Sequence, residues 1–109
     1  MSTPQTLSAF QSEVDQTIKA AGGYWQPLAN LARLLEECGE LARAINQYHG
    51  PKLRKSNEAR VTLEEELGDV LYVTLVLANS LDIDAQAALA ASVAKVKQRN
   101  LVDSRKSTP

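Results

Sequence analysis

The run from residue 67 to 81 is apolar nearly all round a helix, and this limits the chain's fold more than any other feature. Leu67, Val70, Leu71, Thr74, Leu77, Ala78 and Leu81 recur at intervals of three or four, while Val73, Leu75 and Val76 fill the remaining sides. A helix without a polar face must be covered from several directions. A chain of 109 residues makes one domain, and at that size folding buries only about two-thirds of the surface the unfolded form exposes. Part of the cover is therefore expected from another subunit.

The other segments are also helical by pattern, and no strand alternation competes with them. A first helix is predicted over residues 4–21, with Thr3 as N-cap, Pro4 at the first helical position and Gly22-Gly23 as the stop. A second begins near Pro27 and ends at Gly50-Pro51, and Leu31, Leu34, Leu35, Cys38, Leu41, Ala42 and Ile45 mark its apolar face. The third starts at Thr62, which with Glu65 makes a T-x-x-E capping pattern. The fourth covers residues 85–100 with Asp84 as its cap. The fold class expected is all-α: antiparallel helices in a bundle completed by oligomerisation. Residues 1–102 are expected to form a single domain and 103–109 a flexible polar tail.

Twelve basic against 13 acidic residues give a formal charge of -1, without the basic excess of a dedicated nucleic-acid-binding domain. A single cysteine, Cys38, excludes an intrachain disulfide and a C-x-x-C metal or redox motif. Its place on the apolar stripe predicts a small core residue. The N-terminus lacks a basic segment followed by an apolar one, and no apolar run approaches the roughly 20 residues that span a bilayer. A cytoplasmic location is expected, with no membrane partner.

The acidic residues are unevenly placed. Glu36, Glu37 and Glu40 lie in the second helix, and Glu64, Glu65, Glu66 and Asp69 open the third. Glu37 with Glu40, and Glu66 with Asp69, are each three apart, so each pair shares one side of its helix. At about 100° per residue both pairs fall on the same flank of their helix's apolar stripe. Solvated faces are one reading, since negative charge in a first turn favours the helix dipole. Two matched pairs on packed helices favour another: antiparallel helices bring four carboxylates to one point, where a divalent cation relieves their repulsion. Oxygen-only ligands suit Mg²⁺, with Mn²⁺ as an alternative, and Mg²⁺ commonly completes its shell with water and substrate phosphates.

The segments Glu36-Glu37-Cys38-Gly39-Glu40 and Glu66-Leu67-Gly68-Asp69 resemble the EExxE…ExxD signature of the MazG-like nucleotide pyrophosphohydrolases. The similarity spans about residues 24–100, including LARLLEECGELARA and EEELGDVLYVTLVLANSL. It implies an all-α fold in which subunits associate as a homodimer or homotetramer, with Mg²⁺ held by Glu37, Glu40, Glu66 and Asp69. The implied reaction is attack of water at the α-phosphorus of a nucleoside triphosphate, giving the monophosphate and pyrophosphate. Glu36 is a candidate base or supporting group, although its azimuth points away from Glu37. The family's K-x-x-x-R pattern matches Lys95 and Arg99 as polyphosphate contacts, and Ser92 stands where an Asn is often found.

Lys52, Arg54 and Lys55 in the polar connection are secondary phosphate candidates, each equally readable as a solvated charge. Trp25 offers a face on which a base could stack, or it packs against Leu28 or Leu31. Asn79 follows the buried run and is a further candidate for a ligand contact. Two alternatives stay open: a phosphoribosyl-ATP pyrophosphohydrolase, and a non-enzymatic helical oligomer with a vestigial metal site.

Overall fold

In a computed structural model the chain folds into four helices: α1 (Leu7–Ala20), α2 (Pro27–His49), α3 (Leu63–Ser80) and α4 (Ala85–Ser107). The structure describes residues 4–50 and 62–107, excepting the side chains of 102–107, and no strand occurs among the described residues.

Local chemistry sets most of the helix ends. The Thr6 hydroxyl accepts from the Ala9 amide at 3.0 Å, so α1 begins at Leu7 and not at Pro4. The segment offered two threonines with capping chemistry, and the second one caps. Gly23 donates to the Ile18 carbonyl and Gly22 to that of Lys19, a Schellman closure that needs a positive φ at Gly22, which Gly22 adopts at 114°. Pro27 opens α2. The Thr62 hydroxyl accepts from the Glu65 amide at 3.1 Å to start α3, and Asp84 accepts from the Ala87 amide to start α4. That last helix continues past Asn100 to Ser107.

The end of α3 repeats the Schellman pattern, with Ile83 donating to Ala78 and Asp82 to Asn79. Here the left-handed position is held by Asp82 at φ 55°, where glycine meets no Cβ penalty. Asp82→Gly is expected to stabilise the protein by about 0.5–1 kcal/mol, read as a higher urea midpoint at unchanged slope.

α2 and α3 form the body of the molecule. They run antiparallel, since Asn30 shares a recess with Val76 while Glu37 meets Glu66 further along. α1 lies on α3, where Val14, Leu75 and Val76 form a small core with Leu7, Ile18, Tyr24, Tyr72 and Ala85 around it. Tyr24 donates to Asp15 at 2.6 Å. Burial first, and that bond second, push its phenol up to about 12.

The broad apolar stripe of α2 divides into two rows. Asn30, Leu34, Glu37, Leu41 and Ala44 turn inward, while Leu28, Leu31, Leu35, Cys38, Ala42 and Ile45 remain exposed. Cys38 is therefore a surface thiol, not the core residue expected. A 3-4 repeat wide enough for two partners does not say which row the chain's own α3 will use. The exposed Leu67 and Leu71 of α3 leave that helix uncovered on another side too.

Among the described helices, α4 packs mainly on α1. Its angle is fixed by Gln11, whose amide donates to Asn79 Oδ1 at 2.8 Å and to the Ile83 carbonyl at 2.7 Å, and accepts from the Ala85 amide at 2.9 Å. Asn79, weighed above as a ligand contact, is spent in this clamp, its own amide donating to the Gln11 carbonyl. The radius of gyration is 18.2 Å, against about 13 Å for a compact 100-residue domain. This chain does not close on itself.

Candidate metal centre

Glu37 stands on the inward row of α2 between Leu34 and Leu41, and Glu66 on the inward side of α3 between Leu63 and Val70. Helical periodicity thus sets two carboxylates at positions the rows otherwise give to apolar side chains. Glu40, one turn beyond Glu37 and exposed, reaches the same place. Carboxylate oxygens of Glu37, Glu40 and Glu66 all lie within 4.8 Å of one another. Asp69 is exposed, one turn along α3 and outside that triad, but its charge acts on both Glu37 and Glu66.

One oxygen on each of Glu37 and Glu66 is out of contact with solvent and has no hydrogen-bond partner. The burial is shallow and local, since both side chains sit near the surface. The one ion pair among the described residues, Lys19 with Asp15 at 2.9 Å, lies elsewhere. Loss of hydration is the main cause raising the Glu37 carboxyl above its ordinary value, followed by Glu40 and Asp69, with Arg33 opposing. Glu66 is raised in the same way, by loss of hydration, then Glu40, Asp69 and Glu65. Clustered like charges without a cation are a standing cost, and the donor set, oxygen throughout, suits a hard divalent ion. The residues present fit such an ion.

A folded carboxyl with a raised pKa holds its proton more tightly than the unfolded chain does, so acid stabilises the fold. In EDTA the contribution of Glu37 and Glu66 is complete below their ordinary 4.5 and is lost as pH climbs through the raised values. Thermal melts in EDTA across that interval should show it, and Glu37→Gln with Glu66→Gln should flatten the dependence.

The other sequence candidates are spread out. Glu36 is exposed and outside the triad. Lys95 and Arg99 are exposed on α4. The chain turns by 109° between α3 and α4, and α4 packs on α1 rather than on α2 or the body of α3, which carries Lys95 and Arg99 away from the acidic cluster of the same protomer. Lys52, Arg54 and Lys55 fall outside the described residues. Trp25 is 62% exposed, with the Arg33 guanidinium 5.9 Å from its ring centroid. Arg33 is the cation that sequence reasoning passed over. Its spacing of four from Glu37 was the available sign, but a lone arginine beside Leu34 looks like an ordinary surface charge.

No single helix among the described residues is long and apolar enough to cross a membrane. Protein YpjD of Bacillus subtilis (strain 168) is 49% identical over 85 residues, covering 77% of each chain. The crystal structure of YpjD from Bacillus subtilis superposes with a TM-score of 0.77 at 45% identity, over 86% of this chain and 97% of that one. The crystal structure of the Bacillus-conserved MazG protein, a nucleotide pyrophosphohydrolase, gives 0.74 at 43% identity, over 87% and 93%. The MazG nucleotide pyrophosphohydrolase domain matches residues 26–101, a span that begins just before α2 and holds both acidic pairs. With four helices in that arrangement and the carboxylates of α2 and α3 gathered between them, the chain belongs to the MazG nucleotide pyrophosphohydrolase family.

Proposed function

We propose that the protein hydrolyses nucleoside triphosphates to the monophosphate and pyrophosphate. Water adds to the α-phosphorus and the bond from that phosphorus to the bridging oxygen breaks. Glu37, Glu40, Glu66 and Asp69 hold a divalent cation, Mg²⁺ or Mn²⁺. When bound, such an ion neutralises phosphate charge and makes water a better nucleophile at neutral pH. The observation carrying this reading is the pair of solvent-excluded, unpartnered oxygens on Glu37 and Glu66 within a triad of carboxylates. Glu36 is outside the ligand set in this reading, and free nucleotides of the cytoplasm are the substrate pool.

A second copy of the chain belongs to the same proposal. The exposed row on α2 and Leu67 and Leu71 on α3 supply apolar surface of the kind that marks an interface. Pairing of copies through it completes a bundle as a homodimer, or a homotetramer built from two. Because Lys95 and Arg99 are far from their own acidic cluster, they serve as phosphate contacts only from another subunit. The direct test is a pyrophosphate-release screen over canonical and damaged NTPs and dNTPs with Mg²⁺ and with Mn²⁺. Release of pyrophosphate, not orthophosphate, from at least one nucleotide is expected. Inert protein across the panel overturns the reading.

A further inference from the structure

The metal centre accounts for the phosphates but leaves the rest of the substrate without a seat. One to two turns toward the N-terminus of α2, a recess of about 190 Å³ opens between α1, α2 and α3. Ile18, Tyr24 and Val76 give it apolar walls, and Trp25 and Arg33 complete its lining. Tyr24 offers its ring here, its hydroxyl being engaged by Asp15. The recess is too small for a whole nucleotide and suits one flat heteroaromatic ring.

Its construction is not that of a loose surface fold. Asn30 is 2% exposed, and its side-chain amide donates to the Trp25 carbonyl at 3.1 Å, fixing the backbone of a tryptophan that is itself largely exposed. The guanidinium of Arg33 covers that ring at 5.9 Å, within the range of a cation–π contact. Arg33 also lies four residues before Glu37 on α2, so the two neighbour each other on one side of the helix, and its charge is felt there. The same guanidinium can thus serve either the ring or an anion at the carboxylate centre.

We propose that this recess is the nucleobase subsite: a base stacks on Trp25 in place of Arg33, and the displaced guanidinium turns to the phosphates beside Glu37. The proposal rests on the pyrophosphohydrolase reading for its location. Base and phosphates then occupy successive turns of α2, and occupation of one subsite supplies the cation of the other. Selection is for a heteroaromatic ring in general, because every base has a stacking face. A polyphosphate without a base leaves Arg33 on the tryptophan.

Trp25 is the chain's one tryptophan, so its fluorescence reads the subsite directly, in EDTA and without turnover. Saturable quenching is expected from nucleoside monophosphates and from non-hydrolysable nucleoside triphosphate analogues, and none from inorganic triphosphate or ribose 5-phosphate. Trp25→Ala should raise KM about tenfold, the value of one stacked base, with kcat retained. Arg33→Met should act in opposite directions: free nucleosides bind more tightly to the uncovered ring, while the triphosphate analogue binds more weakly. A merely structural role for Arg33 would weaken both together, and circular dichroism melts of each variant show whether it is folded. Absent quenching, or an unchanged KM in folded Trp25→Ala, overturns the subsite and leaves the catalytic reading standing. Quenching by nucleotides without any pyrophosphate release sustains the subsite and overturns that reading instead.

Discussion

Glu66→Gln is expected to cut pyrophosphate release about a thousand-fold, the scale of losing several kcal/mol of charge stabilisation, while making the metal-free protein harder to melt. The two effects have one cause. Glu66 places an unpartnered oxygen beside Glu37 and Glu40, which without a cation raises the energy of the folded state and with one provides a ligand. Glutamine keeps the shape, removes the charge and offers a poorer donor. In EDTA at neutral pH the variant should melt above the parent. With millimolar Mg²⁺ the order should reverse, because only the parent gains stability by binding the ion. A variant equal to the parent in both conditions would show that Glu66 is an ordinary surface acid.

Leu35→Glu is expected to convert the proposed assembly to monomers and remove most of its activity. Leu35 is 64% exposed at the middle of the outward row, where burial by a second copy is worth about 1.5–3 kcal/mol per leucine. Placing a charge there costs more still. The melting temperature should fall by roughly 10 °C or more, and light scattering should report the mass of one chain, 11.9 kDa. If Lys95 and Arg99 act across the interface, activity falls with the assembly even though the variant's own carboxylates remain grouped. An unchanged mass for the variant, or a monomeric parent that is fully active, contradicts this part of the account.

Features of this molecule that depend on neighbours in sequence were legible before the fold was seen. Pro27, Thr62 and Asp84 mark helix starts because capping is a contact across three residues. The acidic pairs could be brought together because i and i+3 share an azimuth on any helix. Contacts across long separations were not legible. The departure of α4 depends on Gln11 reaching Ile83 and Ala85, and nothing near Ala85 in the sequence announces it. Lys95 and Arg99 could be matched to a pattern, but their distance from the acids follows from that turn. The α2 stripe gave the amphipathic helix correctly and not the division between the row that meets α3 and the row left open. Arg33 went unnoticed because its significance lies in what it faces, Trp25 on one side and Glu37 on the other.

Crystals soaked in Mn²⁺ and measured for anomalous scattering put the central claim to its most direct trial. A peak is expected between α2 and α3, at about 2.0–2.2 Å from carboxylate oxygens of Glu37, Glu40 and Glu66, with Asp69 drawn in to join them. Strong Mn²⁺ peaks elsewhere on the protein, with none among those side chains, would contradict it.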